Sequence, residues 1–153
     1  MEEFEMIEIK YCQVLTGYSE NGKDIVPSAT LEALVDGQKV LVSSPGVGPI
    51  DAAYNAINKL GPVSKLFEGD KRTHPHLRRF VINAEAESSE TAGSDAIGAA
   101  RVTVFYKDQI YNGIGRSKDI IRAAVDAYVD VLYQILGYRE RQQPPIENGQ
   151  FLF

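Results

Sequence analysis

An internal duplication constrains this chain more than any other feature. Ala29-Thr30-Leu31-Glu32-Ala33-Leu34-Val35-Asp36-Gly37-Gln38 and Ala100-Arg101-Val102-Thr103-Val104-Phe105-Tyr106-Lys107-Asp108-Gln109 both alternate apolar with polar residues and then reach a turn. Upstream, Asn21-Gly22-Lys23-Asp24 stands at the same offset from Ala92-Gly93-Ser94-Asp95. Downstream, Gly46-Val47-Gly48-Pro49-Ile50-Asp51 echoes Gly113-Ile114-Gly115-Arg116-Ser117-Lys118. The offset falls from 71 to 67 after the turn, which a shorter second hairpin would explain.

Each unit reads as three strands and a helix. In the first, Met6 to Gly17 alternates, with Ile7, Ile9 and Tyr11 on one side. Thr30–Val35 and Lys39–Ser43 flank Asp36-Gly37, a strong hairpin signal. Pro49 has the fixed φ of a first helical residue, and the apolar face Ile50, Ala53, Tyr54, Ile57 and Leu60 follows at helical spacing. Gly61-Pro62 is expected to stop that helix.

The second unit repeats this with Leu77–Glu87, Ala99–Tyr106, Gln109–Tyr111 and a helix from Ser117 to Leu136. Ser117 is the expected N-cap and Gly137 the expected residue just past the helix end. Polar Lys118, Arg122, Asp126, Asp130 and Gln134 recur every fourth position, which predicts one narrow wet stripe. The rest of the helix is apolar, and a single sheet covers only about a third of a helix. A second copy of the chain is the simplest further cover, so a homodimer is expected. The fold class is therefore α+β: internally duplicated β-β-β-α units, helices packed on antiparallel sheets, dimeric.

Composition excludes several classes. A 44% hydrophobic content with 24% charged residues is that of a globular chain and rules out disorder. A net charge of −5 argues against nucleic acid as a partner. No apolar run approaches the ~20 residues of a membrane span, and the acidic start is unlike a signal peptide, so a cytoplasmic protein without membrane contact is expected. The single cysteine, Cys12, reads as a buried structural thiol.

Catalytic constellations are scarce. His74-Pro75-His76 has the spacing of a metal pair but lacks a third ligand, so no metal and no cofactor are expected. It lies in the basic stretch Lys71–Arg79, which reads as a solvated linker. Gly46-Val47-Gly48 and Gly113-Ile114-Gly115 lack the further residues of a phosphate loop and read as strand-to-helix turns that need glycine. Asp51 in a first helical turn has two readings: a carboxylate facing an ammonium, or a favourable charge at the positive end of a helix.

Three motifs carry a family resemblance: Gly-x-Gly-Pro-Ile-Asp-Ala-x-Tyr-Asn-Ala (Gly46–Ala56), Gly-Ser-Asp-Ala-Ile-Gly (Gly93–Gly98) and Gly-Ile-Gly-Arg-Ser-x-Asp-Ile-Ile (Gly113–Ile121). In this order they resemble the C-terminal regulatory domain of 2-isopropylmalate synthase and citramalate synthase. The resemblance implies a duplicated, dimerising, non-catalytic module that binds leucine or isoleucine for feedback inhibition. It implies an effector site at Ile50 and Asp51, on the strand at Leu77, Phe80 and Ala84, and in the loop at Asp95, Ala96 and Gly98.

The expected regulatory domain spans residues 1–138, as unit one (4–61), a linker (62–75) and unit two (76–138), with a C-terminal arm at 139–153. The family's catalytic (β/α)8 barrel has no counterpart in these residues. Either a free-standing regulatory subunit, with a separate catalytic barrel subunit as partner, or an excised domain is expected. A purely structural dimerisation domain without ligand is the alternative.

Overall fold

Two hairpins with the same turn geometry organise the chain. In a computed structural model, which describes residues 7–21, 25–85, 97–141, 146–147 and 150–151, Asp36 and Gly37 have φ of 51° and 81°. Lys107 and Asp108 have 49° and 62°. Positive φ at both central residues is the two-residue turn whose twist matches that of antiparallel strands. The strands are β1 (Ile7–Leu15), β2 (Ser28–Val35) and β3 (Gln38–Pro45), then β4 (His76–Glu85), β5 (Ile97–Tyr106) and β6 (Gln109–Ser117). They form two antiparallel three-stranded sheets, β1-β2-β3 and β4-β5-β6, each followed by a helix. The α+β, duplicated β-β-β-α reading is borne out. The chain divides into two compact units, Met1–Phe67 and Glu68–Phe153.

In the first unit, α1 (Pro49–Ile57) packs on β2 and β3. Ala52, Ala53, Ala56 and Ile57 are fully buried, and the burial of Ile57 alone contributes about 2 kcal/mol. The strand β1 departs from simple alternation. Ile9 pairs with Ala33 and Tyr11 with Glu32, leaving Lys10 as an extra, bulged residue. The bulge exchanges the faces of everything beyond it, so Cys12 and Val14 continue the inner row of Ile7 and Ile9. Tyr11, expected on that row, is instead 46% exposed. Cys12 is half-buried. Gly61-Pro62 does not end α1, which closes at Asn58. These residues open a further short helix, α2 (Gly61–Ser64), because a first-turn proline needs no N–H partner.

In the second unit, α3 (Ile120–Ile135) packs on β5 and β6. Its N-cap is Asp119, whose carboxylate accepts from the Ile121 N–H at 2.9 Å. Ser117, the expected cap, ends β6 and accepts instead from the Asp119 N–H at 3.1 Å. The C-terminus follows expectation. Gly137 has φ +84°, Tyr138 N–H donates to Tyr133 O at 2.8 Å, and Gly137 N–H donates to Gln134 O at 3.3 Å. The Tyr133 and Tyr138 rings meet edge-on at 5.5 Å, the apolar contact that accompanies this cap. Gly137→Ala should cost about 1 kcal/mol, because a Cβ disfavours positive φ. A shift of the urea midpoint checks it, and an unchanged midpoint would discount the cap.

The repeat register differs from the sequence reading. The hairpin turns are equally long, and the helices open at Pro49 and Ile120, 71 positions apart, so the offset does not fall to 67. Gly113 and Gly115 therefore lie within β6, not in a strand-to-helix turn. A Cβ on Gly113 would collide with the Ala127 carbonyl, and one on Gly115 with the Ala123 carbonyl. Glycine here lets a helix backbone settle directly onto a strand.

The expected wet stripe of α3 is only half wet. Lys118, Arg122 and Asp126 are exposed, whereas Asp130 and Gln134 are 7% and 5% exposed. Both serve the outer edge of β6. Asp130 Oδ2 accepts from the Ile114 N–H at 3.1 Å, and Gln134 Nε2 donates to Asn112 O at 2.8 Å. A buried edge must be satisfied somewhere, and these side chains do it. Asp126 sits at the margin: partial burial pushes its carboxyl above the usual range, opposed by Arg122 at 3.7 Å.

The apolar positions Ala123, Ala124, Val125, Ala127, Tyr128, Val131 and Leu132 are already buried within the single chain. The surplus apolar surface available for a dimer is thus smaller than the sequence implies. No helix among the described residues is long and apolar enough to cross a membrane.

Candidate functional site

The first group of predicted residues surrounds the start of α1. Gly46 is required there, because its Cβ would meet the Ala52 backbone nitrogen. Its own N–H donates to Pro27 O at 3.0 Å, which ends β3 pairing and turns the chain. Gly48 is the N-cap at φ −144°, and a Cβ there would meet nothing within 4 Å, so space does not demand glycine at that position. What it does is leave the first turn without a side-chain cap.

Asp51, exposed on this first turn, reaches back so that Oδ2 accepts from the Val47 N–H at 2.8 Å. Asn55, one turn on, donates to the same oxygen at 3.3 Å and to Pro45 O at 3.2 Å. The carboxylate therefore holds the Gly46–Gly48 turn, and Asn55 ties both to the end of β3. Neither bond involves Oδ1. Sequence reasoning did not single out Asn55, although its position four residues beyond Asp51 puts the two on one helix face. Ile50 is half-buried beside them.

The second group lies on the second sheet. Leu77, Phe80 and Ala84 could not share a face on a regular strand, because Leu77 and Phe80 are an odd number of residues apart. A bulge at Arg78 resolves this: Leu77 pairs with Val104 and Arg79 with Thr103. Leu77, Phe80, Ile82 and Ala84 then stand opposite Val104, Val102, Ala100 and Gly98, on the face that carries α3. The bulge occupies the same place in its strand as Lys10 does in β1. Since α3 packs on β5 and β6, the row on edge strand β4 stays accessible: Leu77 is 50% exposed, Ala84 is exposed, and Phe80 and Ile82 are half-buried. Strand alternation from Phe80 could have pointed to Ile82, which the sequence reading omitted.

Gly98 is buried opposite Ala84 and also pairs with Ser117. Asp95 and Ala96, like the Gly22–Asp24 and Ala92–Ser94 segments of the repeat and Pro144-Pro145 of the arm, lie outside the described residues.

The basic stretch is only partly a linker. Lys71–Thr73 is a short 3₁₀ turn capped by Asp70, whose carboxyl the Arg72 side chain and N–H hold below its usual range. From His76 onward the residues belong to β4, with the Arg78 guanidinium 5.2 Å from the Phe105 ring centre. His74 Nε2 lies 3.2 Å from Gly69 O. Among the described residues no group of three or more His, Cys, Asp or Glu gathers as a metal would require.

A family model described as the LeuA allosteric (dimerisation) domain matches residues 1–136. The 2-isopropylmalate synthase of Pseudoalteromonas atlantica is 34% identical over 114 residues, covering 74% of this chain and 19% of that protein. Those of Nitrosococcus oceani and Dictyoglomus turgidum are each 34% identical, over 128 and 134 residues, or 84% and 86% of this chain and 22% of theirs. The chain spans about a fifth of the length of the curated relatives it matches. Both copies of the unit fall within the matched residues, and the chain belongs to the LeuA allosteric (dimerisation) domain family.

Proposed function

We propose that this chain is a feedback-regulatory, dimerising module for a 2-isopropylmalate or citramalate synthase type acyltransferase, and that it binds a branched-chain amino acid, leucine or isoleucine. It carries no condensation chemistry of its own in this reading, works in the cytoplasm, and has as partners a second copy and a catalytic barrel, whether separate or joined to it. The observation that carries the reading is the bulge at Arg78, which gathers Leu77, Phe80 and Ala84 into one open apolar row. Such a row suits a branched alkyl side chain, with Asp95, Ala96 and Gly98 completing it. In the first unit, Asp51 suits an ammonium, and the uncapped N–H groups at Ile50 and Asp51 suit a carboxylate.

The ligand-free dimerisation domain is the second reading, and one observation favours it: the contact with the Val47 N–H already gives Asp51 a structural task. Calorimetric titration with leucine, isoleucine and valine decides between them. Asp51→Asn keeps an oxygen for the Val47 N–H but removes the charge. It should weaken leucine binding at least tenfold, about 1.4 kcal/mol, with little change in melting temperature. Absence of binding heat with all three amino acids, or undiminished leucine affinity in Asp51→Asn, would leave the second reading standing.

A further inference from the structure

We infer that Ile120 sets how long a side chain the β4 row accepts; the inference rests on reading that row as an amino-acid surface. Ile120 is the first residue of α3, and at 51% exposure it is a large apolar side chain left open at the start of a helix whose next turns are buried. Its Cγ2 lies 3.4 Å from where a Cβ on Gly98 would stand, and Gly98 faces Ala84 across the β4–β5 ladder. Ile120 therefore lies beside the Ala84 end of the row, next to the two residues with the least side chain. Small residues at that end leave room, and the isoleucine bounds it.

The wall is also fixed in place. Asp119 caps the helix through the Ile121 N–H at 2.9 Å, and Ser117 Oγ accepts from the Asp119 N–H at 3.1 Å, so the backbone at Ile120 is held from both sides. A β-branched side chain there has few rotamers to offer. A stiff apolar group at the end of an alkyl surface discriminates by length, and one methylene in such a setting is worth roughly 10- to 200-fold in selectivity. Leucine would end against Ile120, whereas a longer side chain would be obstructed by it.

The test is a ratio, which a general loss of stability does not move. Leucine, methionine and phenylalanine are titrated calorimetrically into the full chain and into Ile120→Ala and Ile120→Val, with melting temperatures recorded for each. Ile120→Ala should shift the affinity ratio of methionine, and of phenylalanine, to leucine upward by about tenfold, whereas Ile120→Val should keep the original ratio. An unchanged ratio in Ile120→Ala, with leucine still bound, overturns the role of Ile120 and spares the underlying reading. Failure of the unaltered chain to bind any of the three overturns both.

Discussion

Gly115→Ala is expected to cost about 3 kcal/mol of folding free energy, the upper part of the range for overpacking a core. The added methyl group would collide with the Ala123 carbonyl and stand 2.8 Å from the Ala127 nitrogen and 2.9 Å from Asp126 Cβ. Two of these are helix backbone atoms, which cannot swing aside as the tip of a side chain does. The helix must lift from β6, and the packing of Ala123 and Ala127 against the sheet loosens with it. Gly113→Ala should behave alike, since its Cβ meets the Ala127 carbonyl and sits 3.1 Å from the Val131 nitrogen. Gly61→Ala is the control: its Cβ meets nothing within 4 Å, so a change within about 0.5 kcal/mol is expected. Urea unfolding measures all three. Equal midpoints for Gly115→Ala and Gly61→Ala would show that helix and strand are not in close contact.

The second large effect is at Asp130, where alanine should cost about 3 kcal/mol. This carboxylate is buried and has three donors: the Ile114 N–H at 3.1 Å, Gln134 Nε2 at 3.3 Å and Arg139 Nη1 at 2.6 Å. Removing it leaves the Ile114 amide without its acceptor at a buried sheet edge. Arg139→Ala should cost only about 1 kcal/mol, because its side chain is 47% exposed and Asp130 keeps its other two donors. The double variant should match Asp130→Ala to within about 0.5 kcal/mol. If Arg139→Ala proved as costly as Asp130→Ala, the ion pair and not the strand edge would be what Asp130 stabilises.

Much of this fold is legible in the sequence because it rests on local signals. Asp36-Gly37, Pro49 and Gly137 each act through their own φ, and the structure uses all three as their residue types require. Sequence reasoning fails where one residue type has two uses. Glycine in Gly113-Ile114-Gly115 looks like a turn because it matches Gly46-Val47-Gly48 by letter, yet close packing demands the same absence of a side chain. Asp130 and Gln134 look solvated because polar side chains usually are, but a sheet edge can supply the partners that water otherwise would. Bulges leave no clear mark in a single sequence, which is why alternation misplaces Tyr11. For the same reason the sequence offers no geometric account of how Leu77 and Phe80 could share a face.

The helices also determine what can attach to the sheets. Lys59, just past α1, donates to Ser43 O at 2.6 Å on the edge of β3, and Asp130 takes the Ile114 N–H on the edge of β6. These pairs occupy the same repeat positions, 71 apart, with donor and acceptor reversed. Pro45 O is taken by Asn55, Asn112 O by Gln134 and Ile110 O by Arg141. On the opposite edges, β1 and β4 are interrupted by the bulged Lys10 and Arg78. A foreign strand seeking to template on either sheet meets occupied groups on one side and a charged irregularity on the other. Protection against aggregation by strand addition is thus supplied largely by helix and tail side chains, so a substitution at Lys59 or Arg141 could compromise solubility while sparing the core.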